Sequence, residues 1–86
     1  EEVAAAVHAA RPSALVNAAA YTAVDRAESE PDLAWRINAE APAQIARAAT
    51  RLDVPLVHVS TDYVFDGRQL ASCIESDPVA PLNVYG

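Results

Sequence analysis

The stretch Val54 to Gly67, "VPLVHVSTDYVFDG", decides how this chain of 86 residues is read. Its first part, "VPLVHV", is apolar apart from His58 and shows no alternation. A short run of that kind suits a strand covered on both faces. Ser60, Thr61 and Asp62 follow at once. Polar residues at such a strand end either terminate it by turn chemistry or form the lip of a site.

Working outward, a second run of the same kind appears at residues 14–19, "ALVNAA", compatible with a strand ending at Asn17. The segment after it, "AYTAVDRAESEPD", is polar and irregular, with one helical turn at 24–29. Pro31 suits the first turn of a helix, with Ser29 or Glu30 near its cap. From there to about Arg51 the pattern is helical: Leu33, Ile37, Ala41 and Ile45 recur every four residues, and Ala34, Ala48 and Leu52 extend that face. Trp35 and Arg36 lie off it, and Trp35 is expected to pack the helix on a neighbouring layer. Pro42 falls inside the helix and should bend it or leave a carbonyl unpaired.

The first ten residues are Ala-rich and read as a helix that "RPS" at 11–13 breaks, because Pro12 disfavours helix in the residue before it. Residues 62–86 carry Gly67, Pro78 and Pro81 and show no period, so they read as loop. Helix, strand, long helix, strand and loop make an α/β chain with a βαβ unit and a parallel sheet. In such sheets ligands bind beyond the carboxyl ends of the strands. Both strand exits here, residues 17–25 and 60–67, combine small residues with hydroxyls.

The sequence is 52% apolar, yet 20 of its residues are Ala, which bury little surface, so the core is expected to be thin. A net charge of −6 without a basic cluster argues against a nucleic-acid partner. No apolar run approaches the ~20 residues that span a bilayer. One cysteine, Cys73, makes no disulfide within the chain and fits a reducing compartment, the cytoplasm. No metal-ligand spacing stands out. His58 reads as a packed strand histidine, His8 as solvated and Cys73 as a small loop residue. Asp25, Glu28, Glu30 and Asp32 read as a solvated helix start favoured by the dipole. Phe65 is expected in the core, and Tyr63 suits either the core or a pocket wall.

Four blocks, "VNAAAYTAVDRAESEP", "INAEAP", "PLVHVSTDYVFDG" and "DPVAPLNVYG", resemble the dTDP-4-dehydrorhamnose reductase family, a branch of the extended short-chain dehydrogenases/reductases. They occur in family order and spacing from about Pro12 to Gly86. The resemblance implies part of a Rossmann-type, doubly wound parallel sheet. Residues 1–86 would be an internal slice of it, with the Gly-rich turn upstream and the C-terminal substrate region downstream. It implies reduction of the C4 ketone of a dTDP-activated deoxy-sugar by NADPH or NADH.

By position, the resemblance makes Tyr85 the proton donor and Thr61 its hydroxyl partner, with Ser60 the alternative hydroxyl. A free phenol titrates near ~10, so a cation must help it. The family supplies a lysine four residues on. Ala19, Ala20, Tyr21, Thr22 and Tyr85 would lie along the cofactor, and Thr61, Asp62 and Val24 along the dTDP-sugar. Asn38 matches a helix asparagine that supports the lysine. A homodimer is the assembly expected of the full-length protein.

The segment "RQLASCIESD" departs from the family, with Leu70 and Ala71 in a Gly-rich stretch and Cys73 at an aromatic position. The alternatives are a non-catalytic dinucleotide-binding subunit, like the beta subunit of methionine adenosyltransferase, and a related nucleotide-sugar epimerase or dehydratase.

Overall fold

A computed structural model describes residues 2–86. The first helix, α1 (Glu2–Ala10), ends where Arg11 takes φ +46°, immediately before Pro12. That left-handed residue and the ring behind it close the helical option. β1 (Leu15–Asn17) follows, then the short α2 (Val24–Ala27) and α3 (Pro31–Trp35). α3 runs through a π turn (Arg36–Glu40) into α4 (Ala41–Leu52). β2 (Leu56–His58) and a single 3₁₀ turn (Asp62–Val64) complete the ordered elements.

The π turn is how the chain accommodates Pro42. In an unbroken α-helix Pro42 would fail to donate to the Asn38 carbonyl, and its ring would clash with that oxygen. Instead one turn widens, and the Ala41 N–H reaches back five residues to the Arg36 carbonyl. Pro42 thereby falls in the first turn of α4, where a missing N–H costs nothing. The expected bend is a widened turn with Asn38 at its centre. α4 ends at Asp53, whose φ of +55° lets Val54 N–H donate to the Ala49 carbonyl at 3.0 Å.

β1 and β2 pair in parallel, with Leu15 opposite Leu56, Val16 opposite Val57 and Asn17 opposite His58. Bonds from Leu15 N–H to the Pro55 carbonyl (2.9 Å) and from Val59 N–H to the Asn17 carbonyl (3.1 Å) extend the ladder at both ends. α4 packs on both strands and α1 packs on α4. The opposite sheet face is open: Val16, Val57 and Val59 are each more than half exposed. The shortest dimension, 15 Å, accordingly matches one helix layer on one sheet layer.

Among the described residues the buried positions are Ala27, Ala34, Ala48, Ala49 and Asn17, so the thin core expected from composition is what forms. Three expectations fail. Phe65 is half-buried and stands outside the core. Trp35 is 64% exposed and packs no neighbouring layer, because it points away from the face that α3 and α4 share. His58, the last residue of β2 and paired with Asn17, is exposed and not packed.

Candidate functional site

The two strands end side by side, so the loops that leave them meet. Ala18, Ala19, Ala20 and Thr22 from the first loop line one cleft together with His58, Val59, Ser60, Thr61 and Val64 from the second. Asn38 closes one side, Tyr85 and Gly86 another, and the enclosed space is about 270 Å³. The cleft therefore sits where an open parallel sheet places its ligands.

Each wall has a local reason for its shape. Asn17 is buried, and both atoms of its amide are engaged: Oδ1 accepts from Ala19 N–H at 3.2 Å and Nδ2 donates to His58 Nδ1 at 3.1 Å. Because Oδ1 faces Ala19, the amino group must face the ring, which leaves the His58 proton on Nε2. Asn38 grips the backbone of Tyr21 from both sides. It accepts from Tyr21 N–H at 2.8 Å and donates to the Tyr21 carbonyl at 2.9 Å. Tyr21 then turns its phenol away from the cleft and donates to Glu30 Oε2 at 2.6 Å, while Arg26 donates to Glu30 Oε1 at 3.0 Å. The hydrogen bond to Glu30 raises the Tyr21 phenol above its ordinary value, with desolvation adding to it. The same hydrogen bond holds the Glu30 carboxyl below its ordinary value, Arg26 contributing.

On the other wall, Thr61 caps the 3₁₀ turn by accepting from Tyr63 N–H at 3.2 Å, so its own hydrogen remains to be donated. The Tyr85 ring meets the Tyr63 ring edge-on, centroids 5.4 Å apart. The Tyr85 hydroxyl has no hydrogen-bond partner among the described residues. Gly86 lies so close to Tyr63 that a Cβ there would collide with the Tyr63 carbonyl oxygen and press on Pro81 Cβ at 2.9 Å.

Of the residues singled out from the sequence, Ala19, Ala20, Thr22, Ser60, Thr61, Asn38 and Tyr85 are brought to this one cleft. Tyr21 does not line the cleft: its backbone is held by Asn38 and its phenol by Glu30. Asp62 lines a neighbouring hollow of about 430 Å³ with Tyr63, Phe65, Asp66, Gly67, Cys73, Leu82 and Asn83. Val24, half-buried at the start of α2, lines neither. Sequence reasoning missed the roles of Asn17, Glu30 and Glu28, whose carboxylate accepts from Val84 N–H at 2.8 Å. Both amide atoms of Asn38 bond the backbone of Tyr21. The expectation of a wholly solvated carboxylate group at 25–32 therefore gives way for Glu28 and Glu30.

The wall of three consecutive alanines offers a flat, accessible surface, and the hydroxyls of Thr22, Ser60, Thr61 and Tyr85 ring it with donors. Those residues fit one ring-sized part of a nicotinamide dinucleotide. A cleft of about 270 Å³ is at the small end for a small-molecule site and too small for the whole cofactor. No described helix is long and apolar enough to cross a membrane.

Parallel strands with a helical crossover and a cleft at their carboxyl ends define an α/β unit of the Rossmann type. Within that class the chain belongs to the family described as the RmlD substrate binding domain, which matches residues 1–86. It is 52% identical over 86 residues to dTDP-4-dehydrorhamnose reductase of Escherichia coli (strain K12), covering 100% of this chain and 29% of that protein. Identity to the reductase of the same name from Shigella flexneri is 51%, with the same coverage. The crystal structure of dTDP-4-dehydrorhamnose reductase from Bacillus anthracis str. Ames in complex with NADP superposes with a TM-score of 0.93 at 42% identity, covering 98% of this chain and 30% of that one. The chain thus spans about 29% of the length of the curated relatives it matches.

Proposed function

We propose that the full-length protein carrying this chain reduces the C4 ketone of dTDP-4-dehydrorhamnose, using NADPH or NADH. One observation carries the reading. Thr61 and Tyr85, distant in sequence, line one cleft with Ala19 and Ala20 at the carboxyl ends of two parallel strands. The names of the relatives and the NADP in one of them support it.

When bound, the cofactor supplies a hydride to the ketone carbon. The substrate oxygen then gains charge and needs a proton. The Tyr85 hydroxyl lines the cleft without an internal partner, so it is available to give that proton. Thr61 keeps its hydrogen for the same oxygen and orients it. Ala19 and Ala20 keep the wall flat for the cofactor ring, and Thr22 adds a hydroxyl beside it. Asp62, in the adjoining hollow, faces the remainder of the sugar nucleotide. All six cations of the chain are arginines and none lines the cleft, so the reading requires a cation from beyond Tyr85. It also places the protein in the cytoplasm as a homodimer.

The test follows NADPH and NADH oxidation by the full-length protein with dTDP-4-dehydrorhamnose present and absent. Oxidation that depends on the sugar is expected. Cofactor binding without reduction of any nucleotide sugar would replace this reading with a non-catalytic dinucleotide-binding subunit.

A further inference from the structure

We infer that Glu28 is a positioning residue: its carboxylate braces the segment that carries Tyr85 against the cleft. The inference rests on the proposed role of Tyr85, but the brace itself is a matter of geometry. Glu28 and Val84 are 56 residues apart, and the Glu28 carboxylate accepts from Val84 N–H at 2.8 Å. Such a bond to an ionised acceptor is stronger than one between neutral groups.

Little else holds this segment. Among the described residues, no other hydrogen bond runs from residues 81–86 to a distant part of the chain. The bond from Ala80 N–H to the Val64 carbonyl (2.7 Å) lies just before it, and that from Gly86 N–H to Asn83 Oδ1 (2.8 Å) closes a turn inside it. Apolar anchoring is weak, since Leu82 is 75% exposed and Val84 41%. The ring that Tyr85 touches, Tyr63, is itself 48% exposed.

Glu28, by contrast, stands on a fixed base. It directly follows Ala27, the most buried of the described residues at 0% exposure, and caps α2 through its own N–H to the Asp25 carbonyl at 3.3 Å. The salt bridge of Arg26 with Glu30 and the grip of Glu30 on Tyr21 tie the same short helix to the cofactor-side loop. Glu28 therefore transmits the position of one cleft wall to the other. A proton donor displaced by an ångström loses much of its rate advantage.

The experiment compares Glu28→Ala, Glu28→Gln and, as a charge control, Asp32→Asn in the full-length protein. Two quantities are read: hydrogen exchange at the Val84 amide and the kcat and KM of sugar reduction. In Glu28→Ala, Val84 exchange should accelerate about 10-fold while the Ala80 amide is unchanged. The kcat should fall about 10-fold with KM for the cofactor preserved. Glu28→Gln keeps an acceptor oxygen and should stay within about 3-fold of wild type in both readings. Asp32→Asn should match wild type. Unchanged Val84 exchange in Glu28→Ala would overturn the inference, as would faster exchange at wild-type kcat. Equal losses in Glu28→Ala, Glu28→Gln and Asp32→Asn would assign the effect to charge and overturn it as well. If the wild type reduces no nucleotide sugar, the proposed function falls, and Val84 exchange alone decides the brace.

Discussion

The two walls of the cleft are built in opposite ways. The loop from Asn17 to Glu30 is tied down: Asn17 is buried with both amide atoms used, and Tyr21 is held at its N–H, its carbonyl and its hydroxyl. The segment from Gly67 to Gly86, which brings Tyr85 and Gly86 to the other wall, crosses the surface with Leu70, Ile74, Val79 and Leu82 largely exposed. Its order comes from turn bonds, such as those to the Asp77 carboxylate from Ile74 N–H (2.9 Å) and Gln69 Nε2 (3.3 Å), and from the tethers at Val64 and Glu28. Buried or half-buried polar groups are costly to leave unpaired, so damage to the first wall should register as lost stability. Damage to the second should register in turnover, because it carries the group proposed for the chemistry and little packing.

The sharpest break between the walls is at Tyr85. Tyr85→Phe removes one hydroxyl and keeps the ring contact with Tyr63, so stability should hold within about 0.5 kcal/mol. The kcat for sugar reduction should fall by about 10²–10⁴-fold. Near wild-type kcat would remove Tyr85 from the chemistry. Thr61→Val loses one neutral hydrogen bond to the substrate oxygen and should cost less in turnover, about 0.5–1.5 kcal/mol in activation free energy. It also loses the cap that accepts from Tyr63 N–H, so stability should fall with it.

Gly86→Ala tests whether the second wall is as loosely built as its exposure suggests. The added methyl has no room beside the Tyr63 carbonyl, so either the Tyr63 turn or the Tyr85 segment must shift. Because the tethers are few, the segment should give way. The kcat would drop by up to about 10²-fold with a small change in melting temperature. A variant that unfolds instead would mean that Gly86 packs against a rigid wall, and the contrast between the walls would narrow.

Asn38→Ala should show the reverse signature. It strips two hydrogen bonds from the half-buried Tyr21 backbone and should lower unfolding free energy by about 1–2 kcal/mol, read from denaturant midpoints. Cofactor affinity should fall with it, because the Ala19–Thr22 loop loosens, while kcat at saturating cofactor is retained. Unchanged stability with lost kcat would move Asn38 from the framework to the chemistry.

How much of this was legible beforehand follows the range of the interactions. Both strands lie inside the short apolar runs that marked them, and the parallel pairing that joins residues 19–22 to 60–61 follows from the alternation of strand and helix. Pro42 announced trouble in the long helix, but either bend or unpaired carbonyl was open, and the wide turn that places Asn38 is a third solution. Glu28 and Glu30 looked like any acidic helix start. Nothing in their own neighbourhood distinguishes a solvated carboxylate from one that meets an amide 56 residues away. Long-range partners of surface polar groups depend on the assembled fold, which local pattern does not encode. Trp35 and His58 were misjudged for the same reason: residue type suggested burial, and the packing left them outside.

The smallest expected effect lies in the first wall and depends on pH. Tyr21 donates to Glu30, which lowers the Glu30 pKa from its ordinary 4.5 and raises that of Tyr21 from its ordinary 10.0. A carboxyl with a lowered folded-state pKa stabilises above its unfolded value, and that contribution disappears as pH falls through the lowered one. A phenol with a raised value stabilises below its unfolded pKa and loses the contribution as pH rises through the raised one. The network should therefore contribute a constant amount across neutral pH and fade at both extremes. Both groups are half-buried but reached by solvent, so the amount is small and salt-sensitive. Denaturant midpoints of wild type and Glu30→Gln, measured from neutral pH down to about pH 3, should converge on the acid side. A difference that persists undiminished at about pH 3 would show that Glu30 acts through packing and not through its charge, and the first wall would then owe less to its hydrogen bonds than its geometry implies.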